Sequence, residues 1–105
     1  MSFSKELYIY NRSGHTVFVC ANFDKDEVVR FTRNADRERC IADGFREFAV
    51  DENSQMLSEM LGHEDIFVSV FVLKEGRLHL LWNTVHMRQP NRRIFIDMHG
   101  TIRQG

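Results

Sequence analysis

The chain has 105 residues, 43% of them hydrophobic and 28% charged, with a single proline, which is ordinary composition for one globular domain. Its 14 basic and 15 acidic residues leave a formal net charge of −1, without the basic excess of a protein that tracks a phosphate backbone. No apolar run approaches the roughly 18 residues of a membrane span. Met1 to Tyr10, with Lys5 and Glu6 inside it, lacks the apolar stretch of a signal peptide. The two cysteines, Cys20 and Cys40, are too few and too far apart for a disulfide framework or a zinc knuckle. They are expected as reduced thiols of a cytoplasmic protein.

Leu7 to Tyr10 and Thr16 to Ala21 are rich in β-branched and aromatic residues and predict two strands. The turn-forming cluster Asn11-Arg12-Ser13-Gly14 between them predicts a hairpin. Asp24-Lys25-Asp26-Glu27 closes the second strand, and Val28 to Arg33 reads as a third, apolar at Val29 and Phe31. Arg37 to Ala42 and Phe45 to Val50 flank Asp43-Gly44, a favoured two-residue hairpin turn. Met56, Leu57, Met60 and Leu61 recur at helical spacing and predict a short helix over Ser54 to Leu61, capped by Asp51 or Asn53 and ended by Gly62.

Ile66 to Leu73 is nearly all apolar, as expected of a central strand covered on both faces. Lys74-Glu75-Gly76 turns it into a strand from Leu78 to Met87. Arg88 to Asn91 then leads to a last strand, Arg93 to Met98, followed by a polar tail. The sum is an all-β fold: a single antiparallel β-sandwich domain of about seven strands with one short helix, spanning residues 1–105.

Strand side chains alternate between the two sides of a sheet, and here the alternation sorts aliphatic from aromatic. Leu7 and Ile9 oppose Tyr8 and Tyr10, while Val17, Val19 and Ala21 oppose Phe18 and Cys20. Ile66, Val68, Val70 and Val72 oppose Phe67, Ser69 and Phe71, and Ile94, Ile96 and Met98 oppose Phe95 and Asp97. One side should meet an opposing sheet. The other needs the helix, a loop or a partner to cover it, so Tyr8, Tyr10, Phe18, Phe67, Phe71 and Phe95 are the candidate binding residues.

Basic residues gather twice. Arg30, Arg33, Arg37 and Arg39 are interrupted by Asp36 and Glu38 and read as a solvated mixed-charge surface. Arg88, Arg92 and Arg93 flank a turn with no acid inside it and are the anion-binding candidates. The five histidines show no metalloprotease spacing and none lies near a cysteine pair; His63-Glu64-Asp65 reads as exposed charge after a turn. No phosphate-binding glycine loop and no nucleophile–histidine–acid pattern occurs in chain order, so neither a catalytic residue, a metal site nor a cofactor is expected.

Tyr8 to Asp24 resembles the opening hairpin of the von Hippel–Lindau β domain, through Asn11-Arg12-Ser13, the alternation of Val17 and Val19, and Asn22-Phe23-Asp24. The likeness covers about a sixth of the chain and implies a β-sandwich. The rest departs from it, without a following helical domain of the kind that recruits ubiquitin-ligase partners, and no functional residue is carried over. The expected function is a non-catalytic interaction module that binds a protein partner or itself, as a homodimer, through a sheet face. The alternatives are a small single-stranded nucleic-acid binder, stacking bases beside Arg88, Arg92 and Arg93, and an enzyme with a dispersed site. The near-neutral charge favours the first, and no membrane partner is expected.

Overall fold

The computed structural model describes residues 3–36 and 44–105. In chain order these form β1 (Glu6–Asn11), β2 (Val17–Asn22), α1 (Lys25–Arg33), β3 (Arg46–Phe48), β4 (Asn53–Leu57), a 3₁₀ turn (Glu59–Leu61), β5 (Asp65–Lys74), β6 (Arg77–Arg88), β7 (Arg93–Ile96) and β8 (Ile102–Gln104). Two four-stranded sheets result. Sheet one has the order β4-β1-β7-β8 and sheet two the order β3-β2-β5-β6. Every pairing is antiparallel except that of β1 with β7. The fold is an all-β sandwich with one short α-helix among the described residues.

The aliphatic sides of the strands meet between the sheets. Leu7, Ile9, Ile94 and Ile96 from sheet one pack with Val17, Val19, Phe48, Ile66, Val68, Val70, Val72 and Met87 from sheet two, each at most 2% exposed. Burying side chains of this size stabilises by roughly 1.5–3 kcal/mol apiece relative to leaving them in water. The opposite side of sheet two has its own cluster. There Phe18, Cys20, Phe45 and Phe71 are buried with Val28 of α1. The Ser69 hydroxyl lies in this layer, accepting from the Thr84 N–H (2.9 Å) and pairing with the Thr32 hydroxyl of α1 (2.6 Å). It ties the helix to the irregular stretch of β6, where two register shifts occur between Val68 and Phe71 of the partner strand. The two shifts cancel in parity, so His86 lies opposite Phe67 and His79 opposite Val72, on opposite sides of the sheet.

Four expectations are corrected. First, β1 and β2 do not form a hairpin: they belong to different sheets, and residues 12–16 cross between them. Leu7 and Ile9 pack against Val17 and Val19 across the sandwich rather than beside them. Second, Val28 to Arg33 is helical. Asp24 caps α1 by accepting the Asp26 N–H at 3.0 Å, acids occupy the first turn and Arg30 and Arg33 the last, each sign complementing the helix dipole.

Third, Ser54 to Leu61 is a strand and a 3₁₀ turn. A short apolar run fits either period, and pairing with β1 places Met56 inward and leaves Leu57 62% exposed. Fourth, the tail after Gly100 supplies β8, which pairs with β7 and makes the eighth strand. The Asp97 carboxylate shapes the turn between them by accepting the N–H groups of His99 (2.9 Å) and Thr101 (3.0 Å). Of the hairpin expected around Asp43-Gly44, Arg37 to Asp43 lie outside the described residues, as does Cys40. Phe45 to Val50 contains β3, paired antiparallel with β2.

Candidate functional site

The six aromatic residues do not share one face. Phe18 and Phe71 lie on the outer side of sheet two, 4% and 8% exposed, in the layer under α1. Phe67 sits at the rim of that layer, stacked on His86 at 5.3 Å with the Lys25 ammonium 5.8 Å from its ring. Tyr8, Tyr10 and Phe95 lie on the outer side of sheet one, all half-buried. There the aromatic side is open: α1 packs on strands of sheet two, and no described element lies over sheet one.

On that open face the rings are arranged by register. Tyr10 and Phe95 are directly paired across β1 and β7, and their rings are parallel within 6°, with centroids 4.6 Å apart. That distance is the lateral spacing of strands, so the rings stand on edge, their faces turned along the sheet. Arg103, paired with Phe95 from β8, lays its guanidinium 4.7 Å from the Phe95 centroid. Since β7 runs between β1 and β8, Phe95 is covered by Tyr10 on one side and Arg103 on the other. The second face of Tyr10 looks towards β4, into a groove lined by Tyr8, Tyr10, Asn53, Ser54 and Gln55. A second groove, on the far side of Tyr10, is lined by Arg12, Phe95, Asp97, Thr101 and Arg103 among others.

The charges of this face follow the same alternation. Arg93 leans over Tyr8, its guanidinium 6.0 Å from the ring centroid. Arg12, Arg93 and Arg103 have no carboxylate within ion-pair distance among the described residues, whereas Arg30 pairs with Glu27 and Arg88 with Glu64 and Asp65. The acids nearby are engaged. Glu6 accepts the Tyr8 hydroxyl at 2.7 Å, and Asp97 is held by its turn.

The Glu6 contact sets one measurable property. Its hydrogen bond, aided by partial desolvation, holds the Tyr8 phenol above its ordinary value. An acid whose pKa is raised by folding adds stability that is complete below the unfolded value of about 10 and disappears as pH rises through the folded value. Glu6→Gln should therefore shift one phenolate absorbance transition to lower pH. A titration identical in wild type and variant would refute the assignment.

The basic trio is dispersed. Arg88 is tied to Glu64 (2.6 Å) and Asp65 (3.3 Å), and those carboxylates raise its pKa further. Arg92 is 3% exposed, and its guanidinium donates to the carbonyls of Leu61, His63 and Glu64. Burial lowers its pKa, and it faces no solvent anion. Only Arg93 reaches the open face. Sequence reasoning missed Arg12 and Arg103 there. Arg103 had no visible partner while β8 read as a tail, but Arg12 continues the even-numbered series of Tyr8 and Tyr10 and was legible. Among the described residues no group of three or more His, Cys, Asp and Glu side chains could hold a metal ion. No described helix is long and apolar enough to cross a membrane.

Compared with known families, curated proteins and solved structures, the chain matches none.

Proposed function

We propose that the chain is a non-catalytic interaction module that binds a protein partner through the outer face of sheet one. One observation carries the reading. Both sheets turn aromatic rings outward, yet the chain's own helix covers those of sheet two, leaving Tyr8, Tyr10 and Phe95 open beside two grooves. Aromatic and arginine side chains contribute much of the binding energy at protein interfaces, and this face carries both.

Self-association through this face is disfavoured by symmetry. A two-fold contact sets a patch against itself, so the excess of Arg12, Arg93 and Arg103 over Glu6 and Asp97 would be doubled across it. Single-stranded nucleic acid is disfavoured by ring orientation. Successive bases stack on successive exposed ring faces, whereas Phe95 is covered on both of its faces and only one face of Tyr10 is open.

The test is Tyr10→Glu, with capture from native lysate beside sedimentation and thermal melts. Tyr10 is only half-buried, so the variant should fold, losing about 0.5–1.5 kcal/mol from the broken ring stack. It should fail to retain proteins that the wild type retains, and both should sediment as monomers. A wild-type dimer that the substitution dissociates would instead establish self-association.

A further inference from the structure

The open face also indicates the chemistry of its occupant, an inference that rests on the interaction-module reading. Rows of side chains on one face of a strand recur every two residues, roughly 7 Å apart. Along the parallel strands β1 and β7 the first row holds Tyr8 and Arg93, and the second holds Tyr10 and Phe95 with Arg103 beside them. The third holds Arg12 and, continuing the same register, Asp97, both lining the second groove, with the Asp97 carboxylate taken up by the His99 and Thr101 N–H groups. Arginine thus stands at each end of the ring pair and along one flank, in each case without an acid partner among the described residues. Two of the guanidiniums rest against rings, which limits the rotamer freedom that pairing would otherwise cost. On the remaining flank the open face of Tyr10 borders a groove edged by the amides of Asn53 and Gln55.

We propose that this face binds an extended, acidic segment of a partner protein, laid along β1 and β7, with an apolar or aromatic side chain against Tyr10 and carboxylates two residues before and after it. In an extended segment those three side chains share one face, and their spacing matches the three rows. The carboxylates meet Arg93 at one end and Arg12 or Arg103 at the other. With a net charge of −1 over the chain and Glu6 and Asp97 beside the three arginines, the face has only a small basic excess, which suits a short acidic segment better than a long polyanion.

The probe is a fluorescent peptide containing glutamate–serine–tyrosine–serine–glutamate, followed by anisotropy at low and physiological salt. Controls are the peptide with glutamine for glutamate, one with the glutamates moved next to each other, and a single-stranded oligothymidine. The glutamine peptide should bind about ten-fold more weakly, as should the double variant Arg93→Gln, Arg103→Gln toward the acidic peptide, with its melt unchanged. Arg93→Glu with Arg103→Glu should reverse the preference to a lysine peptide.

Equal affinity for acidic and glutamine peptides, or no affinity for either, would overturn the proposal, as would tighter binding of oligothymidine. The two readings fail separately. Loss of lysate partners with Tyr10→Glu but not with the arginine variants keeps the interaction face and removes its acidic occupant. Retention of those partners by every variant removes both.

Discussion

Replacing Arg92 with Met should destabilise the fold by about 3–5 kcal/mol, the cost of breaking a buried charge–dipole cluster. Arg92 is 3% exposed at the entrance to β7 and has no carboxylate among its hydrogen-bond partners. Its guanidinium instead gathers the carbonyls of Leu61, His63 and Glu64 (3.2 Å for the last) and approaches that of Ser4 at 3.4 Å. These belong to the segments entering β1 and β5, so one side chain from sheet one closes the end of the sandwich by joining both sheets.

Methionine fills similar space but takes the guanidinium from the Leu61 and His63 carbonyls, while the Glu64 carbonyl keeps the Gln89 N–H and that of Ser4 the Gln89 side-chain amide. Each unsatisfied buried carbonyl costs roughly 1–3 kcal/mol. Arg92→Lys should recover only part, since an ammonium lacks the planar five-donor fork. Urea unfolding at constant m would measure both, and hydrogen exchange should show the N–H groups of residues 59–65 losing protection first. A loss below about 1 kcal/mol for Arg92→Met would mean that the loop holds itself. Against a total of 5–15 kcal/mol for a typical domain, the expected loss is large.

Arg92 also shows what the sequence made legible. Strand period placed Leu7, Ile9, Ile94 and Ile96 on the inner side and Tyr8, Tyr10 and Phe95 on the outer, as the structure has them. The same count puts Arg92 on the side of Ile94 and Ile96, and Arg93 on the side of Phe95. Grouping the three arginines by closeness in sequence concealed that. Parity could not show which strands share a sheet, because an aliphatic face packs equally well against a neighbour's across the sandwich. The six aromatics were therefore read as one surface when sheet membership divides them.

The helix was missed for a different reason. Asp24-Lys25-Asp26-Glu27 reads as the close of the second strand, although an Asp followed three residues later by Glu is also a helix-start signature. Once α1 is placed, Val28 and Phe31 cover Phe18 and Phe71. The open face of sheet one is what remains.

Asn11→Asp should be the other severely destabilising change, about 3–5 kcal/mol at neutral pH, although it exchanges one amide for one carboxylate. Asn11 is fully buried at the end of β1, where the odd-numbered series Leu7, Ile9, Asn11 runs into the crossing between sheets. Its amide nitrogen donates to the carbonyls of His15 and Ala49, both at 2.8 Å, and its oxygen accepts the Ser13 hydroxyl at 2.6 Å and the Ser13 N–H at 3.2 Å. The side chain thus pins the crossing to itself and to the segment after β3, which explains why a turn-forming triplet here makes no hairpin. An aspartate would aim a charged acceptor at two carbonyls in place of the amide's N–H groups. The Ala49 carbonyl would keep the Glu52 N–H and that of His15 the Ser13 hydroxyl, but the buried carboxylate would have no cation beside it among the described residues.

The effect should depend on pH. Those carbonyls and the burial both favour the protonated acid, so the folded-state pKa of the new carboxyl lies above the unfolded value of about 3.9. A group with a raised pKa is least costly below the unfolded value and becomes more so as pH rises through the folded one. The deficit of Asn11→Asp relative to wild type should therefore shrink on acidification, as the protonated acid donates one hydrogen bond. Asn11→Ala should lose about 1–3 kcal/mol with no such pH dependence, because it removes the amide's hydrogen bonds without adding a titrating group. Chemical denaturation of the three proteins from acid to neutral pH separates these cases. A deficit for Asn11→Asp that stays constant across that range would show that water reaches the crossing and that Asn11 does not close it.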